Sequence, residues 1–529
     1  MECLTSITAN LWCSAMYGTR DYELVKPILN KICKYPAEDI IVTSIGRIWY
    51  AEEDYKRRYD YYPVWRLLLL IKWTLIYGDL RPYPTRAFGK TELQGLLKDI
   101  WDLEGALERE IEISYRDRAW FLLVRRLSFQ QRPFQQSIHL SRLARQSLLF
   151  GHLNADDPLR ESFRKAVGAQ IEDFVELQLA LLIRFFLQRQ REVSEGWFAS
   201  LAKSYPPGTV ARLLNGLSLD FASARQYLSD SRSVHSPNLR YELSEMSPLK
   251  RFPLFCRHGK YYCYSPMLLY RALEDQIYDT LRSHDPQAFG NYFGKSIFED
   301  YVGRAAFHSG LPVLTETNLS EGLGDDGKLI DYLIVEGDVH VFIEAKAVEM
   351  TYIGEVTEDP DQITQRVESS VVKGIRQAYE IAQRLEGVEC IGEIQLGQPL
   401  ERYLLIVTYK DLYLGSSGDF YEFLAKKILD EMLTEFDNVR WIPFENMYFV
   451  STEDFELLMQ AVHEGRTSIA SCLRHAVRSD NASSSGKKKL VLRQHLHDLL
   501  GQLHPPAYLD EEFDEIAKRV SSKFPMEKE

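Results

Sequence analysis

Hydrophobic and polar positions alternate with a period of two on both sides of Gly337-Asp338, a pair of the kind that closes a two-residue hairpin. The flanking runs, Ile330 to Glu336 and Val339 to Lys346, are rich in β-branched residues, so each predicts a strand. With the turn at Gly337-Asp338, Glu336 faces Val339. Counting outward through the ladder sets Asp331 opposite Glu344 in a non-hydrogen-bonded pair, in which side chains approach most closely. Lys346 then shares a face with Glu344, and Ala345 points the other way. One face carries Ile330, Tyr332, Ile334, Val341, Ile343 and Ala345; the other carries Leu333, Val335 and Phe342 and ends in Asp331, Glu344 and Lys346. Both faces are largely apolar, which predicts a central strand pair covered by helices on both sides, with an acidic cluster at the sheet end of an α/β domain. Like charges placed directly opposite one another repel. A divalent cation on hard oxygen ligands is the expected occupant between them.

The period changes outside this hairpin. Phe293, Ile297, Tyr301 and Ala305 recur at helical spacing, with Phe298 and Val302 widening the stripe. Lys373 and Gln377, four apart, share one face of a further predicted helix. Tyr403 to Thr408 reads as another strand, and Met447 to Val450 as a last strand that runs into the helix cap Ser451-Thr-Glu-Asp454.

Ile330-Asp331 followed by Glu344-Ala345-Lys346 on the next strand resembles the PD-(D/E)xK phosphodiesterase superfamily, with Ile330 where the leading proline would stand. The superfamily contains restriction endonucleases, junction resolvases and many bacterial anti-phage defence nucleases, and the likeness spans roughly residues 291 to 459. It implies a restriction-endonuclease-like α/β core, a mixed sheet of αβββαβ order flanked by helices, and hydrolysis of phosphodiester bonds, in DNA, with Mg²⁺ or Mn²⁺. Carried over residue by residue, it implies that Asp331 and Glu344 bind the metal together with the backbone carbonyl of Ala345. Lys346 orients the water or stabilises the transition state. Glu299, with Asp300 as its substitute, faces the metal from the first helix, and Gln377 leans over the site from the later one. The Gln-x-x-x-Tyr pattern of the exonuclease branch is broken, because Ile381 takes the tyrosine position. The competing reading of the same residues is a satisfied ion cluster in a non-catalytic scaffold that binds nucleic acid or protein.

Two phosphate-loop look-alikes carry no nucleotide site. Gly322 to Gly327 matches G-x-G-x-x-G but precedes a strand and places Asp325 and Asp326 where a pyrophosphate would go. Gly290 to Ser296 has three residues between its glycines where a P-loop needs four. Cys256, His258 and Cys263 sit on an alternating segment that turns at His258-Gly259; too few ligands with the wrong spacing argue for hairpin cysteines and against zinc.

A chain of 529 residues with 45% hydrophobic content can bury several cores. The expected division is a helical domain over 1–150, a helical and hairpin connection over 151–289, a nuclease domain over 290–478, a flexible linker over 479–489 and a helical tail over 490–529. Asp454 to Val477 is expected to be helical. A net charge of −13 speaks against a chain that coats nucleic acid indiscriminately. Seven scattered cysteines without a signal-peptide pattern suggest a reducing cytoplasm. Leu67 to Tyr77, the most apolar early run, is too short for a bilayer and contains Lys72, so it predicts a buried helix and no membrane association.

One stretch departs from the acidic average. Arg116, Arg118, Arg125, Arg126, Arg132, Arg142 and Arg145 accompany Trp120, Phe121, Leu123, Val124 and Leu127 at helical spacing, which predicts one or two amphipathic helices broken near Pro133. Arg125, Arg126, Arg132 and Arg142 are candidates for phosphate contacts to double-stranded DNA. Pairing with the acidic segment Asp99 to Glu112 is the alternative. The helical N-terminal region is also a candidate surface for a protein partner.

Overall fold

The computed structural model of the chain describes residues 19–52, 63–78, 86–108, 116–135, 138–234, 238–324, 329–482 and 488–523. Helical periodicity before residue 290 becomes a packed set of helices. Val64–Tyr77 is buried almost throughout, Lys72 included, and Lys72 is neutralised by Glu245 at 2.5 Å and Glu242 at 3.4 Å. No described helix is long and apolar enough to cross a membrane.

Four short strands interrupt the helices: β1 (Glu192–Ser194), β2 (Ser218–Leu219), β3 (Leu254–Arg257) and β4 (Lys260–Cys263), in the order β1-β4-β3-β2. The β3–β4 hairpin turns at His258-Gly259, both at positive φ (49° and 72°), as a type I′ turn requires. β1 and β2 have no signature in the sequence; two- and three-residue strands are held by the hairpin edges they join.

The larger sheet comprises β5 (Val313–Thr315), β6 (Tyr332–Glu336), β7 (Val339–Lys346), β10 (Glu401–Thr408) and β11 (Met447–Ser451), in the order β11-β10-β7-β6-β5. A small hairpin of β8 (Cys390–Ile391) and β9 (Ile394–Gln395) stands apart. β5, β6 and β7 run antiparallel, whereas β10 joins β7, and β11 joins β10, in parallel. Glu336 pairs with Val339 and Tyr332 with Ile343, the register that the turn at Gly337 dictates. Gly337 sits at φ 63°, where a side chain would be strained.

The two faces of the sheet belong to two separate apolar clusters. Tyr332, Ile334, Val341, Ile343, Ala345, Leu405 and Val407 pack on one side, and Leu333, Val335, Phe342, Leu404 and Ile406 on the other. Ile330 joins the second side, not the first, because the chain has left the pleat before β6 begins at Tyr332. The first face is covered by Phe298, Tyr301, Val302 and Ala305, and its cluster continues from Tyr22 to Val520. Helix Lys373–Arg384 covers the second with Ile375, Ala378, Tyr379, Ile381 and Ala382. Ile381 is fully buried there.

The helical region and the α/β unit therefore share a core. The boundary expected at 289/290 falls inside an unbroken helical run, Pro286–Tyr292, Phe293–Phe298 and Glu299–His308. Phe150, at the expected end of the first domain, stacks on Phe293 with ring centres 5.6 Å apart. The helix expected over Asp454 to Val477 is two, Thr452–His463 and Ile469–Asp480, separated at Gly465 with φ 66°. Residues 483–487 of the expected linker lie outside the described residues, while Lys488 and Lys489 pair with Asp419 and Asp498. The last helix, Ala507–Lys523, folds back to place Arg519 and Lys523 on Glu176.

Buried ion pairs fasten the helical region to the last strand–helix unit. Arg145 donates to Glu456 through Nε and Nη2, and Glu456 is 2% exposed at its side chain. Removing one member of such a pair leaves an uncompensated charge, so Arg145→Ala is expected to cost about 3–5 kcal/mol. Denaturant unfolding of the variant checks this; a loss below about 1 kcal/mol, the range of an exposed pair, would show that the contact does not fasten the two regions.

Candidate metal centre

β7 ends where β6 begins, and this brings the acidic residues together. Asp331 lies one residue before β6, and its Oδ2 accepts the Ala345 N–H at 2.6 Å. Successive residues of a strand alternate the edge to which they turn both backbone groups, so the Ala345 carbonyl emerges on the same edge as this N–H, beyond the end of β6. Glu344 and Lys346 share the face opposite Ala345 and are paired through Oε1 and Nζ. The Lys346 ammonium also lies 3.3 Å from Gln377 Oε1, and the Gln377 amide donates to the Leu329 carbonyl at 3.1 Å. Gln377 thus ties its helix both to the end of β7 and to the segment that enters β6.

Glu299 opens helix Glu299–His308, which is fixed to the sheet by the Tyr332 hydroxyl donating to the Glu299 carbonyl at 3.0 Å. Its carboxyl feels Asp331, Glu316 and Lys295. Asp300, the alternative to Glu299, is exposed. The structure thus collects Asp331, Glu344, Lys346, Glu299 and Gln377 at one sheet end.

The electrostatics of this cluster are strained. Glu344 is 1% exposed, and its Oε2 has no hydrogen-bond partner. Burial and then Asp331 push its pKa up to about 8, although Lys346 opposes the shift. Burial raises Asp331 to about 6, against the Ala345 N–H that favours the ionised form. Glu299 is raised to about 7, first by burial and then by Asp331. Burial thus makes all three carboxyls harder to ionise, and a positive charge among them would favour the ionised forms.

Among the described residues no group of three or more His, Cys, Asp or Glu side chains is arranged to hold a metal ion. The donor set here is smaller and of another kind: two carboxylates and a backbone carbonyl. Mg²⁺ is commonly held by one or two carboxylates with waters and substrate phosphates completing its shell, and it takes oxygen donors only. Together with the unpartnered Glu344 oxygen, these residues fit that ion.

Three neighbours escaped the sequence reading. A Cβ on Gly374 would stand 3.1 Å from Glu344 Cγ and 3.5 Å from Lys346 Cε, so the absence of a side chain lets helix Lys373–Arg384 approach the pair. Its position three residues before Gln377 was the available signal. Lys295 and Glu316 act on Asp331 and Glu299 in opposite directions. Lys295 precedes Glu299 by four residues on the same predicted helix, and that spacing was the available signal.

The arginine segment lies elsewhere and is turned inward. Helix Arg116–Gln135 continues through Pro133, which falls in its last turn. Arg125 is fully buried and donates to the Gly354 carbonyl at 2.6 Å; burial lowers its pKa to about 9, against Glu355. Arg126 pairs with Glu358 at 2.6 Å, and Arg142 with Glu453. Arg132 lies against the Tyr413 ring at 5.5 Å. Trp120 is 65% exposed instead, and Phe121, Leu122 and Phe129 supply the apolar contact. In place of an open basic face for phosphates, Arg125 and Arg126 dock the helix on the segment that follows β7, and Arg132 and Arg142 turn to Tyr413 and Glu453. Of the acids expected as alternative partners, Asp99 pairs with Lys31 and Glu104 with Arg66, while residues 109–112 lie outside the described residues.

The raised carboxyl pKa values set the sign of a pH dependence. The folded state binds more protons than the unfolded state between about pH 4 and 8, so this contribution to stability is complete at low pH and lost as pH rises through the folded values. Metal-free Glu344→Gln is therefore expected to be more stable than the natural protein at pH 8.5, by roughly 1–3 kcal/mol, with little difference at pH 4.5. Melting curves across this range check it; parallel pH profiles would contradict the cluster's strain. No protein-family model, curated protein or solved structure matches the chain, so these side chains alone carry any assignment of function.

Proposed function

We propose that the chain is a divalent-metal-dependent nuclease with a restriction-endonuclease-like core, and that its centre is the Asp331, Glu344 and Lys346 cluster. The observation that carries this reading is the unpartnered, buried Glu344 Oε2 beside Asp331 and Glu299, three carboxyls whose pKa values burial raises. The sequence resemblance supports the same reading, and so does the succession of helix Glu299–His308, strands β5, β6 and β7, helix Lys373–Arg384 and β10, into which helix Glu316–Leu323 is inserted after β5, helices Tyr352–Val356 and Pro360–Val367 after β7, and the β8–β9 hairpin before β10.

Asp331, Glu344 and the Ala345 carbonyl would hold Mg²⁺ or Mn²⁺, which supplies Lewis acidity at a phosphoryl oxygen and acidifies water. Lys346 places a fixed positive charge beside the carboxylates, where negative charge develops in phosphodiester hydrolysis. Gln377 holds Lys346 in place from its own helix. Glu299, with a pKa near 7, can accept or donate a proton at its carboxyl close to neutral pH. Double-stranded DNA is the proposed substrate and anti-phage defence the proposed setting, both on the strength of the resemblance.

Incubation with double- and single-stranded DNA and with RNA, in Mg²⁺, Mn²⁺ or chelator, tests the reading. Cleavage is expected only with a divalent ion. Asp331→Ala and Glu344→Ala should each lose activity by more than about 100-fold, and Lys346→Ala should do so while still binding Mn²⁺. Undiminished cleavage by Glu344→Ala in chelator would overturn it.

A further inference from the structure

A second feature with ligand chemistry lies outside the carboxylate cluster. A cavity of about 400 Å³ lies among helices Val64–Tyr77, Lys90–Glu108, Arg116–Gln135 and Leu239–Ser244 with Glu358 in its wall, and none of the five cluster side chains lines it. Its charged lining consists of Arg66, Arg126 and Arg240 against Glu104 and Glu358, an excess of one positive charge. Trp101, on helix Lys90–Glu108, is 58% exposed and carries the Arg66 guanidinium 3.9 Å from its ring centre. That guanidinium is itself locked by hydrogen bonds of 2.6 to 3.1 Å to Glu104. Arg126 is 4% exposed, and its Nε has no hydrogen-bond partner.

These features define a ligand by its chemistry. An exposed indole stiffened by a stacked guanidinium offers a flat surface to an aromatic ring. Glu358 lies 2.6 Å from Arg126 and 3.9 Å from Arg240, whose Nη2 also donates to the Leu107 carbonyl at 3.0 Å, so one carboxylate faces two planar forks. A phosphate would satisfy them bidentately. The volume lies at the lower end of small-ligand pockets, about 300–1,000 Å³, which admits one nucleotide unit and no more.

We propose that this cavity binds a nucleoside monophosphate unit, with its base against Trp101 and its phosphate on Arg126 and Arg240. The unit can be a free nucleotide or the 5′-phosphorylated end of a strand, since both present the same ring and anion. Glu358, which the phosphate would displace, and Gly354, which Arg125 holds, both lie on the segment between Lys346 and helix Lys373–Arg384. Occupancy therefore reaches the segment that joins the two elements of the carboxylate cluster; this regulatory consequence, unlike the binding, rests on the nuclease reading.

Calorimetric titration of the full chain in chelator tests the binding without the metal centre. Deoxyadenosine monophosphate is expected to bind saturably and at least about tenfold more tightly than deoxyadenosine or inorganic phosphate alone. Trp101→Ala, at an exposed position, should keep its melting temperature and lose about tenfold or more in affinity, while Glu358→Gln, which removes the competing carboxylate, should gain severalfold. A 5′-phosphorylated tetranucleotide that displaces the mononucleotide, where its 5′-hydroxyl counterpart does not, would identify a strand end as the source; displacement by neither would identify the free nucleotide. No saturable binding of deoxyadenosine monophosphate, or equal affinity in the natural protein and both variants, would overturn the proposal.

Discussion

The register of the β6–β7 hairpin is the constraint on which the rest depends. A turn at Gly337-Asp338 fixes which residue faces which, and one residue of slip would carry every side chain to the opposite face. The pairing is specified twice, by Gly337 at positive φ and by apolar residues on both faces that enter two different clusters. Given that register, Glu344 has no choice but to be buried beside Asp331. The fold accepts an unfavourable local arrangement because the strand pair that creates it is stabilised along its whole length. Fully burying one Val, Ile, Leu or Phe side chain contributes roughly 1.5–3 kcal/mol, and the hairpin buries seven of them.

Around this hairpin the helices act as clamps with distinct duties. Helix Glu299–His308 closes one face and presents Glu299, and Gly303 in its middle leaves room for the Tyr332 ring. Helix Lys373–Arg384 closes the other, and Gly374 lets its backbone come close enough for Gln377 to reach Lys346. Small residues at both contacts allow the approach. A third clamp, helix Arg116–Gln135, does not touch the cluster but holds the segment after β7 through Arg125 and Arg126.

Where local pattern decided the structure, the sequence was legible: the two hairpins, the helices at Phe293–His308 and Lys373–Arg384, and the meeting of Asp331, Glu344 and Lys346 rest on spacing and turn chemistry, whereas Glu299 and Gln377 were expected there only from the family resemblance. What remained hidden is tertiary. Arginines 125, 126 and 142 look like a solvated face because helical periodicity cannot tell solvent from a polar neighbour; Gly354, Glu358 and Glu453 are remote in sequence. The helical run Pro286–His308 across the boundary expected at 289/290 was hidden for a similar reason. The cavity around Trp101 could not be read either. Its walls come from helices whose order in space no pattern states.

The claim that most needs a direct measurement is that Asp331, Glu344 and the Ala345 carbonyl form one cation site. Anomalous diffraction from crystals grown with Mn²⁺ measures this without reference to any activity. The account expects a single strong peak within oxygen-coordination distance, about 2.0–2.6 Å, of both carboxylates and the carbonyl, with the Glu344 Oε2 as a ligand. Saturating Mn²⁺ with no peak there, and Glu344 still paired to Lys346 alone, would contradict it.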